Sequence, residues 1–152
     1  MKTVLDYIEI GQKEGANIIC GGQRLMDEGR DKGYFIQPTI FSGVSTDMRI
    51  AQEEIFGPVL AVLPVEGFEQ AIALANQVKF GLSASIVTNQ LNRTFDYINQ
   101  IEAGLIIVNL PSAGVEYQLP FGGTKASSTG YREQGSVAID FYSELRTVYL
   151  NN

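Results

Sequence analysis

A chain of 152 residues with 45% hydrophobic and 18% charged residues has the make-up of one globular domain and can bury a core. A formal charge of −6 without any Lys/Arg run excludes an electrostatic footprint for nucleic acid or an anionic membrane surface. Histidine is absent and cysteine single, which excludes Ser-His and Cys-His pairs, histidine-ligated metals and an intrachain disulfide.

The elements follow in chain order. Val4, Tyr7, Ile8 and Gly11 fall at helical spacing, so residues 3 to 15 are expected as a helix ending at Gly15. This opening reads as an amphipathic helix rather than a signal peptide, which makes the cytoplasm the default location. "NIICGG" reads as a short buried strand stopped by Gly21 and Gly22, and 26 to 33 as a polar exposed loop. "YFIQPTIF" is extended, with Pro38 at a bulge or an edge.

Val59 to Val65 is the longest apolar run, a strand and far too short to cross a bilayer. Phe68, Ala71, Ile72 and Ala75 repeat as one helical face ended by Gly81. Residues 82 to 87 form the next strand, and Leu91, Phe95 and Ile98 mark a helix that stops near Gly104. "LIIVN" (105 to 109) closes the series. Strand, helix, strand, helix, strand predicts two βαβ units in an α/β fold with a mostly parallel sheet. From 110 to 135 turn formers dominate, and a loop of that length in a compact domain is usually functional. Residues 142 to 151 alternate as a candidate final strand.

Three groups could carry chemistry. Glu53 and Glu54 precede Phe56 and the strand at Val59, where a carboxylate could accept two ribose hydroxyls. From this stretch alone a solvated turn is the simpler reading. "PFGGTK" (120 to 125) is neither a Walker loop nor a dinucleotide fingerprint, and locally reads as a tight buried turn. Cys20 lies in an apolar run, where cysteine behaves as a small hydrophobe, so it reads as structural.

Taken together, "GYFIQPTIF", "AQEEIFGPVL", "GLSASIVT", "AGLIIVN", "LPFGGTKASSTGYREQG" and "ELRTVYL" resemble, in order and spacing, the NAD(P)-dependent aldehyde dehydrogenase superfamily over residues 3 to 151. The resemblance implies a three-layer α/β unit, an incomplete C-terminal part of that family's catalytic domain, spanning 1–152. It implies that Glu54 holds the nicotinamide ribose hydroxyls of NAD or NADP and that Phe56 lies beside the nicotinamide end. It also implies that Phe121 stands near the wall of the substrate tunnel, after a substrate-admitting loop from Asn109, and that 142–151 is an oligomerisation strand of a homo-oligomer.

In the family the nucleophilic cysteine, the general-base glutamate and the Gly-rich cofactor domain lie upstream of the matched region. The resemblance therefore implies no catalytic residue and no metal site here. It implies a part of an enzyme oxidising an aldehyde to a carboxylic acid, inactive alone. "KASSTGYREQG", with Ser128 for a Gly and one extra residue before Arg132, resembles the sugar-acid branch, including enzymes acting on α-ketoglutarate semialdehyde. The alternative is a non-catalytic scaffold that pairs with full-length subunits through its terminal strand.

Overall fold

The computed structural model describes residues 1–114 and 116–151. The chain has an α/β fold that divides into two compact units, Met1–Leu74 and Ala75–Asn152.

In the first unit, helix α1 (Lys2–Lys13) buries Val4, Ile8 and Gly11, spaced i, i+4, i+7 along one face. Gly11 is used for approach: a Cβ there would stand 3.1 Å from Cζ of Phe41 and 3.0 Å from Cδ1 of Ile50. Gly15, at φ +99°, turns the chain out of the helix into strand β1 (Asn17–Cys20). β1 pairs antiparallel with β2 (Thr39–Ser42), with a register shift between Ile18 and Cys20. A four-residue helix, α2 (Arg49–Gln52), leads to β3 (Val59–Ala61), which runs parallel to β2.

The core of this unit gathers Val4, Ile8, Ala16, Phe41, Val44 and Ile50. Phe41 is fully enclosed, a burial that stabilises by about 3 kcal/mol. Thr39, 1% exposed, is the buried polar neighbour and is satisfied. Its hydroxyl accepts from the Gly22 N–H at 2.9 Å and donates to the Gln37 carbonyl at 2.9 Å.

The expectation of a buried first strand is corrected: β1 is mostly exposed and only Ile18 is half-buried. A short edge strand buries the residues facing its own helix, and apolar composition alone does not report which faces are covered.

The division falls within α3 (Phe68–Asn76). In the second unit β4 (Phe80–Gly81) is followed by β5 (Ser83–Ile86), α4 (Leu91–Gln100) and β6 (Leu105–Val108). β5 and β6 pair in parallel register, Ser83 with Leu105 through Ile86 with Val108, which is the second of the two expected βαβ units. The first is corrected, because β3 takes β2 as its parallel partner and forms no ladder with β5 among the described residues. α4 buries Tyr97. The two-residue strand β7 (Thr124–Lys125) returns antiparallel to β4, and a short helix α5 (Ala138–Phe141) follows. The parallel ladders are thus two separate pairs, β2–β3 and β5–β6, each completed within its own unit.

Residues 142–151 form no ladder among the described residues, and Leu145, Tyr149 and Leu150 are each at least 90% exposed. A strand needs a partner to hold its backbone bonds, and none of the described strands supplies one. No helix among the described residues is long and apolar enough to cross a membrane.

Candidate functional site

The two glutamates of "EEIFGP" have opposite fates. Glu53 caps the C-terminal end of α2 with extended backbone, φ −114° and ψ 150°. Its carboxylate takes the Arg49 guanidinium, with Nε at 3.0 Å from Oε1 and Nη2 at 2.8 Å from Oε2. It also accepts the Tyr7 hydroxyl at 2.7 Å. Arg49 in turn lies over the Tyr7 ring, 5.4 Å from its centroid. Glu53 holds the guanidinium's pKa above its ordinary range, and its hydrogen bond raises that of the Tyr7 hydroxyl.

Glu54 is exposed and has no hydrogen bond or ion pair among the described residues. Successive residues of an extended segment point to opposite sides. Ile55 packs against the core of the first unit, and Phe56 is 89% exposed. Phe56 also sits at φ +53°, a conformation that disfavours a bulky side chain by about 1–3 kcal/mol. Burial explains none of that strain. Gly57 follows because a Cβ there would press into Val4 of α1, 2.6 Å from Cγ2.

An outward carboxylate with both oxygens open and an outward aromatic two residues on fit a cofactor carrying a vicinal diol and a flat ring. The fit rests on donor chemistry: a carboxylate is an acceptor-only group that takes two hydroxyls.

Phe121 belongs to the second unit. It exchanges backbone hydrogen bonds with Glu133, at 2.6 and 2.9 Å, and is half-buried beside a cleft of about 360 Å³. Leu82, Tyr131, Glu133 and Phe141 share the cleft. The glycines before β7 serve chain packing, as the turn reading expects. A Cβ on Gly123 would stand 2.7 Å from the Ser127 Cβ, and one on Gly104 would collide with the Gly122 carbonyl. Ser128 Oγ receives the Gly123 N–H at 2.7 Å.

The loop after β6 is pinned at its start. Asn109 brackets Thr88 with both amide atoms, at 2.8 and 2.9 Å. Ser85 Oγ donates to the Leu110 carbonyl at 2.7 Å and Ser83 Oγ to the Ser112 carbonyl at 2.9 Å. Val115, further along this loop, lies outside the described residues.

Cys20 is exposed, which corrects the expectation of a packed thiol. Its closest polar partner is the Pro38 carbonyl, 3.8 Å from Sγ. Cys20 follows the register shift in β1 and is its last residue. No cluster of three or more potential metal ligands occurs among the described residues.

Sequence reasoning missed Tyr7 and Arg49. The i, i+4 spacing of Arg49 and Glu53 was a readable signal for their ion pair. Nothing local pointed from Tyr7 to Glu53.

A family model described as "Aldehyde dehydrogenase family" matches residues 1–148. Among characterised relatives, the chain is 51% identical over 150 residues to an alpha-ketoglutaric semialdehyde dehydrogenase of Bacillus subtilis, covering 99% of this chain and 31% of that protein. It is 45% identical over 149 residues to a 2,5-dioxopentanoate dehydrogenase of Saccharolobus solfataricus, covering 97% of this chain and 30% of the relative. Among solved structures it resembles a Mycobacterium tuberculosis aldehyde dehydrogenase complexed with NAD+, with TM-score 0.86 and 40% identity over 99% of this chain and 31% of that one. The chain therefore spans about 30% of the length of the relatives it matches.

Proposed function

The chain belongs to the aldehyde dehydrogenase family, and we propose that it is the part of such an enzyme that aims the nicotinamide cofactor and walls the substrate tunnel. The reaction is oxidation of an aldehyde to a carboxylic acid with NAD(P)+, and the substrate is a small semialdehyde of the α-ketoglutarate type. Glu54 holds the ribose diol, Phe56 flanks the ring end of the cofactor and Phe121 forms tunnel wall. When bound, the cofactor supplies the hydride acceptor; the chain's own residues orient it, which is the positional part of catalysis.

The observation that carries the reading is that Glu53 is tied while Glu54 is exposed and unengaged and Phe56 is strained and exposed. The substrate class rests on the names of the relatives at 51% and 45% identity. Cys20 has no part in this reaction, so the 152 residues alone are proposed to turn nothing over.

The test places this chain in the Bacillus subtilis relative in exchange for the matching 150 residues. Glu54→Gln removes a charged acceptor and is expected to lower kcat/KM for NAD+ by about 10- to 100-fold. An unchanged value overturns the assignment of Glu54.

A second reading concerns the tail. Leu145, Tyr149 and Leu150 are apolar and almost wholly exposed, which favours residues 142–151 as a strand that pairs with another subunit. Deleting 142–151 is expected to shift the sedimentation of the exchanged enzyme to smaller species. An unchanged assembly removes the tail from the interface.

A further inference from the structure

Glu54 points outward because something holds its neighbour inward. The tie is a three-residue cluster built from two helices. Tyr7 stands on α1, Arg49 opens α2, and Glu53 leaves α2 in extended conformation. Arg49 is itself located twice. Its backbone N–H donates to the Glu14 carboxylate at 2.9 Å, and its guanidinium rests on the Tyr7 ring. Glu53 thus receives a bidentate guanidinium and a phenolic hydroxyl, leaving its carboxylate little rotational freedom.

We propose that Tyr7 and Arg49 are positioning residues for the cofactor carboxylate: by fixing Glu53 on the inner side of an extended segment, they fix Glu54 on the outer side. The inference rests on the assignment of Glu54 to the cofactor ribose. The geometric basis is the extended backbone at Glu53, across which neighbouring side chains take opposite sides: Glu53 is half-buried and Glu54 exposed. If Glu53 were free to rotate out, the segment could twist and Glu54 would lose its fixed bearing. Neither Tyr7 nor Arg49 touches the cofactor in this scheme; they act through the backbone at Glu53.

The experiment reads the direction of residue 54 in the full chain without requiring activity. A nitroxide label is attached at Glu54→Cys on a Cys20→Ser background, with a control label at Glu9→Cys on the exposed side of α1. Tyr7→Phe and Arg49→Gln are each expected to shift the spectrum of the label at 54 toward fast motion. The spectrum at 9 and the melting temperature should change little, and Arg49→Lys, which keeps the charge but not the fork, should restore only part of the order at 54.

An unchanged spectrum at 54 overturns the inference. A parallel loosening at 9 and 54 also overturns it, because the cluster would then hold the fold rather than the carboxylate. The exchanged enzyme separates this from the assignment beneath it. If the label at 54 responds while Glu54→Gln leaves kcat/KM for NAD+ unchanged, the positioning stands and the ribose assignment fails. If both respond, Tyr7→Phe is expected to raise KM for NAD+ more than it lowers kcat.

Discussion

The Lys125 ammonium donates to the Asn76 carbonyl at 2.7 Å and to the Val78 carbonyl at 3.2 Å, closing the C-terminal end of α3 from a strand far along the chain. The same ammonium pairs with Glu102 at 2.7 Å. A cation at the negative end of a helix that also takes its last carbonyls is a tertiary cap. Asn76 completes the knot, accepting the Glu102 N–H at 2.9 Å and donating to the Gln100 carbonyl at 2.8 Å. Lys125→Met keeps the stem and removes the charge, and should destabilise the chain by about 2 kcal/mol. Denaturant unfolding checks this, and a loss below a few tenths of that size would reduce the cap to a surface contact.

Gly104 and the Gly122–Gly123 pair approach so closely that no side chain fits between them. Gly104→Ala must therefore push β6 away from the segment leading to β7. A destabilisation of about 3 kcal/mol is expected, in the range of severe overpacking. Gly67→Ala is the control, since a Cβ there meets nothing within 4 Å. Equal melting temperatures for the two variants would show that the approach is not required.

The Tyr7 hydroxyl is bonded to Glu53, which holds its pKa above the usual 10.0. With the folded value raised, the stabilisation is fully present below pH 10.0 and is lost as pH rises through the raised value. Tyr7→Phe should remove that alkaline loss, seen as a flatter dependence of unfolding midpoint on pH. Glu9 works in the opposite sense. Its carboxylate is bonded to Lys13 and held below the usual 4.5, so its contribution is present above that pH and fades as pH falls through the lowered value. Glu9→Gln should flatten the acid side alone.

Cys20 is exposed at the end of β1. A maleimide is expected to label it in the folded chain at a rate close to that of the unfolded chain. The labelled and Cys20→Ser proteins should keep the same melting temperature, since the exposed thiol makes a single long hydrogen bond, to the Pro38 carbonyl at 3.8 Å. Strong protection in the folded state would restore the reading of a packed thiol.

Much of the architecture was readable because its signals are local. The face of α1 carrying Val4 and Ile8, the parallel pair around α4, and the turn glycines of "PFGG" each follow from spacing and residue type. The motif around Glu54 was also visible, as a carboxylate and an aromatic before a strand. What the sequence did not contain was the choice between Glu53 and Glu54. Tyr7 lies 46 positions away from Glu53, and only folding brings its hydroxyl to that carboxylate.

The sequence by itself determined the helices α1, α3 and α4, the strands around them, the family resemblance and the short list of residues able to meet a cofactor. The short elements α2, β4, β7 and α5 were not read from it. Periodicity and glycine placement act over a few residues, so they survive in a linear reading. Tertiary structure alone decided which glutamate is tied and which is open, that Cys20 faces outward, and that 142–151 finds no ladder among the described strands. Those outcomes depend on which groups arrive from distant segments, and a hydrogen bond or ladder exists only when both partners are in place.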